Sequence, residues 1–187
     1  VFLRCDDFNG DGVASRVEDE FLAIFEVVDE DDALLLVTQS QEDARFWGFE
    51  LISEAQVLDN HYGVLTARLW TDMVSGELDG LGDVPRLPPL RVGLNLNWHR
   101  NALFGSFNVN HVTSQDDVAT LETKTDAYTL IDLQLGYRIP IDEQRRLIIF
   151  ARGMNLTNET ARRHTSFVKD LAPLAGRSGV VGLRLEF

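Results

Sequence analysis

The sequence predicts an all-β protein, built as an antiparallel up-and-down meander of about eight long strands. Two observations support this prediction. Apolar and polar residues alternate from residue 43 onward, and the connections between these segments alternate between long and short. In the clearest segments, 90–98, 131–139 and 181–187, every second residue is apolar. A period of two places the two kinds of residue on opposite faces of a strand and does not fit a helix.

The expected strand boundaries follow from the turns between these segments. Short connections are expected near 59–60, 100–101 and 142–144, and long ones near 76–89, 114–126 and 157–176. A meander with tight turns at one rim and loops at the other alternates in this way. The expected strands are 1–4, 43–58, 62–75, 89–99, 103–113, 127–139, 146–156 and 178–187.

The alternation leaves open what the apolar face contacts. In a soluble sandwich the apolar faces meet in a core, whereas in a membrane barrel they contact lipid and the polar faces line the lumen. Most of the expected strands have roughly ten to fourteen residues and so exceed the ~5 or 6 usual in soluble proteins. Trp47, Trp98, Tyr137 and Phe187 lie near strand ends, where an aromatic girdle would lie. These details favour a membrane barrel; a soluble secreted calcium-binding β-domain and a passive porin are the alternatives.

Charge is distributed unevenly along the chain, whose formal net charge is −13. Residues 1–43 hold 13 acidic and 2 basic side chains, and residues 44–187 hold 17 acidic and 15 basic ones. An acidic segment repels phosphates, so nucleic acid is not an expected partner. The sequence also has no serine–histidine–aspartate, cysteine–histidine, paired-carboxylate or phosphate-loop arrangement, so an enzyme is not expected.

A calcium loop of EF-hand type is predicted inside the acidic segment. Residues 7–18 read DFNGDGVASRVE and match the pattern D-x-N-x-D-G-x5-E. The expected Ca²⁺ ligands are the side chains of Asp7, Asn9, Asp11, Ser15 (directly or through water) and Glu18, and the carbonyl of Val13. We expect a structural Ca²⁺ that orders this loop. The alternative is a polar turn without metal, because turns prefer the same residue types.

One short helix is expected after the calcium motif. Val17, Phe21, Ile24, Phe25 and Val28 are near helical spacing. Residues 1–4, VFLR, are typical of a strand, so no helix enters the loop. The predicted unit is therefore strand, loop and helix, half of an EF-hand.

The C-terminal residues resemble those of TonB-dependent outer-membrane receptors. In that family a strand runs into N-L-T-N-E, a surface loop follows, and G-R precedes a last strand that ends in Phe. The corresponding residues here are 155–159, 176–177 and 180–187. The stretch ARRHTSFVKDLAPLAGR, residues 161–177, resembles the zinc-regulated subgroup. ARFWGFELISEAQV (44–57) and VPRLPPLRVGLNLNW (84–98) resemble two further strands, so the resemblance spans residues 43–187 in order.

The resemblance implies a receptor fragment in the outer membrane of a Gram-negative bacterium. A whole receptor combines an N-terminal plug domain with a barrel of about 22 strands, whereas this chain has neither a plug nor a motif for contacting TonB. Residues 1–187 are therefore expected to form the C-terminal barrel segment, in contact with lipid, the plug and the missing strands. Counting back from a periplasmic C-terminus places residues 5–42, with the calcium motif and the short helix, in an extracellular loop.

By the same resemblance, the complete receptor imports a scarce metal or metal chelate, with zinc as a candidate, and TonB supplies energy through the plug. Zinc or substrate contact is expected first at His164, which lies in the resembling loop, and then at His111, Glu159 and Asp170. The histidines show no ligand spacing such as H-x3-H, so each is otherwise an ordinary polar residue. Interior positions expected to contact the plug are Glu50, Glu54, Arg91, Asn95, Asn97, Asp132 and Gln134.

Overall fold

The computed structural model describes residues 2–4, 38–40 and 43–187. Every regular element in these ranges is a β-strand. No helix that is long and apolar enough to cross a membrane occurs in this part of the chain. The calcium motif at residues 7–18 and the short helix expected after it lie outside the described residues.

Seven long strands form one antiparallel sheet in which sequence neighbours pair. The strands of the described chain are β1 (Phe2–Arg4), β2 (Thr38–Ser40), β3 (Ala44–Asn60), β4 (Gly63–Leu78), β5 (Gly82–Asp83), β6 (Arg91–Arg100), β7 (Leu103–Val112), β8 (Tyr128–Pro140), β9 (Arg146–Met154) and β10 (Ser178–Glu186). The sheet order is β10-β9-β8-β7-β6-β4-β3, with β5 paired to the end of β4. This confirms the predicted all-β antiparallel meander.

The predicted first strand is present as β1, and it is short. Its partner is β2, which lies before the region of clear alternation and was not predicted from the sequence. The two strands pair antiparallel, with Phe2 opposite Ser40 and Arg4 opposite Thr38. The two strands form a two-stranded sheet separate from the main sheet, and residues 5–37 between them lie outside the described residues.

The two rims of the main sheet differ as predicted. Residues 61–62, 101–102 and 141–145 connect strands at one end, which we call the tight-turn rim, and residues 79–90, 113–127 and 155–177 connect strands at the other, which we call the long-loop rim. The turn at 101–102 is closed by pairing of Arg100 with Leu103. Its first residue, Asn101, has a φ of 51°, a left-handed conformation that asparagine tolerates better than most residues.

The register collects the apolar residues of the long strands on one face, which we call the apolar face. Leu94 is opposite Leu69 on β4 and Val109 on β7, and Val109 is opposite Ile131 on β8. Many large side chains of this face are exposed, among them Trp47 at 61 % and Leu135 at 56 %. A soluble sandwich would cover such a face with a second sheet, and the described strands form no such layer.

The opposite, polar face carries every position predicted for a barrel interior: Glu50, Glu54, Arg91, Asn95, Asn97, Asp132 and Gln134. Pairs of these side chains interact across strands. Asn95 Nδ2 donates a hydrogen bond of 2.8 Å to Asn108 Oδ1, and Arg91 Nε donates one of 2.8 Å to Asp72 Oδ1.

Aromatic rings lie over glycines of neighbouring strands on the polar face. The directly opposed pairs are Phe46–Gly76, Trp70–Gly93, Phe104–Gly136 and Phe150–Gly182. A Cβ built on these glycines would lie 2.6, 2.1, 2.2 and 2.5 Å, respectively, from the nearest ring atom. Glycine is therefore required at these positions for the rings to lie flat on the sheet.

Candidate functional site at the long-loop rim

Two asparagines shape the base of the loop 155–177. Asn155 and Asn158 have φ values of 48° and 59°. Asn155 Nδ2 donates hydrogen bonds to the carbonyls of Glu159 (2.9 Å) and Ala175 (3.1 Å), and its Oδ1 accepts one from the N–H of Glu159 (2.8 Å). Asn158 Oδ1 accepts a hydrogen bond of 3.0 Å from the N–H of Arg177. The motif N-L-T-N-E and the following G-R thus hold the two ends of the loop together.

The loop packs against the polar face of the sheet. Ala161, which is completely buried, contacts Val112 and Tyr128 at the ends of β7 and β8, with Leu130 and Leu174 beside them. The N–H of Leu174 donates a hydrogen bond of 2.8 Å to the carbonyl of Ala161. This small core fixes the loop over the interior side of the sheet.

One buried carboxylate joins all three long loops. Glu122, in the loop 113–127, accepts hydrogen bonds from the N–H of Arg86 in the loop 79–90, at 3.1 and 3.2 Å. Its Oε1 also accepts a hydrogen bond of 3.0 Å from Lys169 Nζ in the loop 155–177. The side chains of Glu122 and Lys169 are only 10 % and 6 % exposed. Burial raises the pKa of Glu122, but the hydrogen bonds from Lys169, Arg86 and Ala119 outweigh it and the pKa lies below its ordinary value.

His164 lies next to this ion pair. Its Nδ1 lies 2.9 Å from Thr125 Oγ1 and 3.3 Å from Lys169 Nζ. Its Nε2 lies 3.1 Å from Glu122 Oε1 without hydrogen-bond alignment. Burial and the Lys169 ammonium lower the pKa of His164, against the opposing effect of the Glu122 carboxylate. The imidazole is therefore neutral at neutral pH, and we call Glu122, Thr125, His164 and Lys169 the rim cluster.

Two cavities flank the rim cluster. One, of about 540 Å³, opens between the loops and is lined by Leu81, Arg86, Leu121, Glu122, Phe167 and Asp170, among others. The other, of about 300 Å³, lies between the loop 155–177 and the polar face, and is lined by Arg91, Asn110, Tyr128, Arg163 and His164, among others. His164 and Glu122 thus contribute to walls on either side of the cluster.

The predicted zinc candidates occupy separate places. His164 is at the centre of the rim cluster, while the exposed Asp170 accepts hydrogen bonds of 2.9 and 2.8 Å from Thr123 Oγ1. Glu159 is fixed through its backbone by Asn155. His111 is opposite Val92 on the apolar face and lies 2.9 Å from Thr129 Oγ1. Within residues 43–187 no three metal-ligating side chains come together, so metal contact by these residues stays a prediction.

Of the rim cluster, sequence reasoning predicted only His164 as a site residue. Glu122 is one of 30 acidic residues and carries no motif that separates it from the others. Its partners Lys169 and Arg86 are 47 and 36 residues away. The Ca²⁺ ligands predicted at Asp7, Asn9, Asp11, Val13, Ser15 and Glu18 lie outside the described residues.

Comparison with known proteins identifies a family and a fold. The family described as "TonB dependent receptor-like, beta-barrel" matches residues 6–156. Among the solved structures that match is "Copper transporter OprC", with a TM-score of 0.66 and 19 % identity over 80 % of this chain. The matched region is 24 % of that transporter, so the chain spans about a quarter of its length. A search of curated proteins finds no match.

The family match and the structure agree on the kind of protein. The match covers well over half of the 187 residues. The structure adds a meander with one apolar and one polar face and with long loops at a single rim. The chain therefore belongs to the TonB-dependent receptor β-barrel family.

Proposed function

We propose that residues 1–187 are the C-terminal barrel segment of an outer-membrane active-transport receptor. The observation that carries this proposal is the family match over residues 6–156. In the complete protein, further strands close the barrel, a plug domain fills it, and TonB supplies energy through the plug. The location is the outer membrane of a Gram-negative bacterium, with the long-loop rim outside the cell.

The two faces of the sheet support this arrangement. Exposed apolar side chains such as Trp47, Leu135 and Val181 give the outer surface that lipid requires. The polar face, with its cross-strand hydrogen bonds, suits an interior that contacts polar protein surface and water. A soluble calcium-binding β-domain would leave the apolar face in water.

The proposed substrate is a scarce metal or a metal chelate, with zinc as the first candidate because of residues 161–177. Copper is the natural comparison, because the similar solved structure is named as a copper transporter. The proposed site of zinc or chelate contact is the long-loop rim, first at His164 and, at separate places on the same rim, at Asp170 and Glu159. The Lys169 ammonium lies 3.3 Å from His164 Nδ1 and would repel a bare cation there. Zinc would therefore bind His164 only after Lys169 moves away.

Uptake measurements test the function directly. Cells that produce the complete receptor and cells that lack it are compared for accumulation of radioactive zinc and copper under metal limitation, each with and without TonB. We expect receptor-dependent accumulation of one metal, lost without TonB. Accumulation that persists without TonB would identify a passive porin, and equal accumulation with and without the receptor would contradict metal transport.

We also propose that the motif at residues 7–18 binds a structural Ca²⁺ at the mouth of the barrel. Extracellular calcium modules of this type bind with dissociation constants of about 0.1–1 mM. Titration of the complete receptor with Ca²⁺ should therefore saturate in the millimolar range. The combined Asp7→Ala and Glu18→Ala changes should abolish binding, and binding that survives them would exclude these ligands.

A further inference from the structure

One patch of the polar face combines positive charge with a flat apolar floor. It lies toward the tight-turn rim, on β7 to β10, and borders a cavity of about 530 Å³. We call it the arginine patch; its lining side chains are Arg138, Arg146, Arg152, Arg184, Phe104, Gln134, Ile148, Phe150 and Glu186. None of these residues belongs to the rim cluster.

The floor of the arginine patch is made by two aromatic–glycine pairs. The ring of Phe104 lies over Gly136, and the ring of Phe150 lies over Gly182. The guanidinium carbon of Arg138 lies 4.3 Å from the centroid of the Phe104 ring. Rings that lie flat leave room above the sheet, and the surrounding arginines point their charge at that space.

The charges of the arginine patch do not balance within the described chain. Glu186 pairs with Arg184, and Arg146 Nε lies 2.6 Å from Glu186 Oε2. Arg152 has only a long contact, 3.5 Å, with Asp132. Four guanidinium groups therefore share two carboxylates. Among the ion pairs of residues 43–187 none includes Arg138. The guanidinium group of Arg138 packs on the face of the Phe104 ring instead.

Where a plug domain covers the arginine patch, the guanidinium groups lose water and need protein partners. Carboxylates and carbonyls are the acceptors that replace this water, and an unpaired buried charge is strongly destabilising. Arginine favours carboxylates because its planar group can bind both oxygens at once. The partner that fits is therefore a polypeptide surface with at least two acidic side chains, which would match the two excess positive charges.

We propose that the arginine patch docks an acidic segment of the plug domain. This inference rests on the proposed function, because it requires a plug inside the barrel. The patch lies on the interior face near the tight-turn rim, so the acidic segment lies at the periplasmic side of the plug. Arg138 and Arg152 hold the segment directly, since the other two arginines are already paired with Glu186.

A photo-crosslinker tests the proposal in the complete receptor within the outer membrane. Benzoylphenylalanine replaces Gln134, which lines the arginine patch, and mass spectrometry identifies the attached peptide. We expect a plug peptide with more Asp and Glu than Lys and Arg. A neutral or basic peptide, or attachment to another protein, overturns the proposal.

Substitutions test the charge dependence of the contact. The combined Arg138→Gln and Arg152→Gln changes should lower the crosslinking yield several-fold, whereas Arg145→Gln, at the same rim but in the turn outside the sheet, should leave it unchanged. Heat-modifiable migration in SDS gels checks that each variant is folded. A folded double variant with undiminished yield contradicts the role of the two arginines.

Metal uptake by the same cells separates this inference from the proposed function. If the plug peptide is crosslinked as expected but no metal is transported, the docking proposal stands and the proposed metal substrate is contradicted. If TonB-dependent uptake is normal but no plug peptide is attached at position 134, the docking proposal is contradicted and the proposed transport function stands.

Discussion

Single residues organise the long-loop rim of the barrel wall. Asn155 and Asn158 adopt positive φ values and use their side chains to bind backbone groups at both ends of the loop 155–177. Asn155 is 4 % exposed. An alanine there would remove three hydrogen bonds to the backbone of Glu159 and Ala175, so the asparagine has a structural reason beyond its place in a motif.

Glu122 is the residue whose loss should loosen the rim most. We expect Glu122→Gln to destabilise the three-loop contact by about 1–3 kcal/mol, because it removes the charge that the largely buried Lys169 ammonium faces. Hydrogen exchange of the loop amides in the complete receptor measures this local stability, with the N–H groups of Thr125 and Leu174 as reporters.

The matched control for Glu122 is Asp116→Asn. Asp116 lies 3.5 Å from Lys124, and both side chains are more than 60 % exposed. Exposed ion pairs contribute about 0–1 kcal/mol, so the same reporters should barely change. Equal effects of the two substitutions would show that burial of Glu122 does not matter.

Acid should open the rim cluster in two steps. The pKa of His164 is lowered in the folded loop, so an unfolded loop takes up a proton below about pH 6.5 while folded His164 stays neutral. Stabilisation is therefore full above that pH and declines as pH falls. The pKa of Glu122 is also lowered, so a second loss begins below its ordinary value of about 4.5.

His164→Gln isolates the first step, because glutamine does not titrate. Local stability of the rim, from exchange rates corrected for intrinsic pH dependence, should fall between about pH 7.5 and 5.5 in the native receptor and stay nearly constant in the variant. An unchanged slope in His164→Gln would assign the pH dependence to another group.

Strands, rather than loops, depend on the aromatic–glycine pairs. A Cβ at Gly182 would lie 2.5 Å from the Phe150 ring, whereas one at Gly179, on the same strand, would have its nearest neighbour at 3.8 Å. Gly182 lies on the polar face beneath the Phe150 ring, and Gly179 lies on the apolar face with no ring above it, which makes β10 a test of this packing.

We expect Gly182→Ala to destabilise the complete receptor by about 1–3 kcal/mol, the usual cost of overpacking, while Gly179→Ala is tolerated. Denaturant unfolding in detergent micelles provides the measurement. If both variants unfold at the native midpoint, the ring of Phe150 moves aside freely and does not need the glycine.

At the scale of the whole molecule, the proposed orientation places the apolar face of the sheet in lipid and the polar face inside the barrel. Leu96 and Asn97 are adjacent on β6 and lie on opposite faces. An arginine on the lipid side near the middle of a membrane costs about 2–4 kcal/mol, whereas interior positions accept charge. Leu96→Arg should therefore reduce insertion of the folded receptor, measured by heat-modifiable migration of outer-membrane fractions, and Asn97→Arg should not. The reverse order would invert the proposed orientation of the wall.

Most strands of the main sheet were predictable from the sequence, because alternation and turn length are properties of neighbouring residues. Alternation along β6, β8 and β10 gave their faces, and turn lengths separated the two rims. The same parity, applied to Phe107 and Val109, would have placed His111 on the apolar face and away from a metal site with His164. The pairing of β1 with β2 could not be predicted, since a three-residue strand has no measurable period.

The sequence by itself determined the strands, their two faces and the family, because side-chain period, turn length and motif order are encoded in neighbouring residues. Only the tertiary structure decided which side chains meet. Thr125 and His164 are 39 residues apart, and Glu122 and Lys169 are 47. Their contacts exist because three loops end at one rim and pack over the polar face, and no local pattern records that proximity. The arginine patch likewise exists only through the register of β7 to β10.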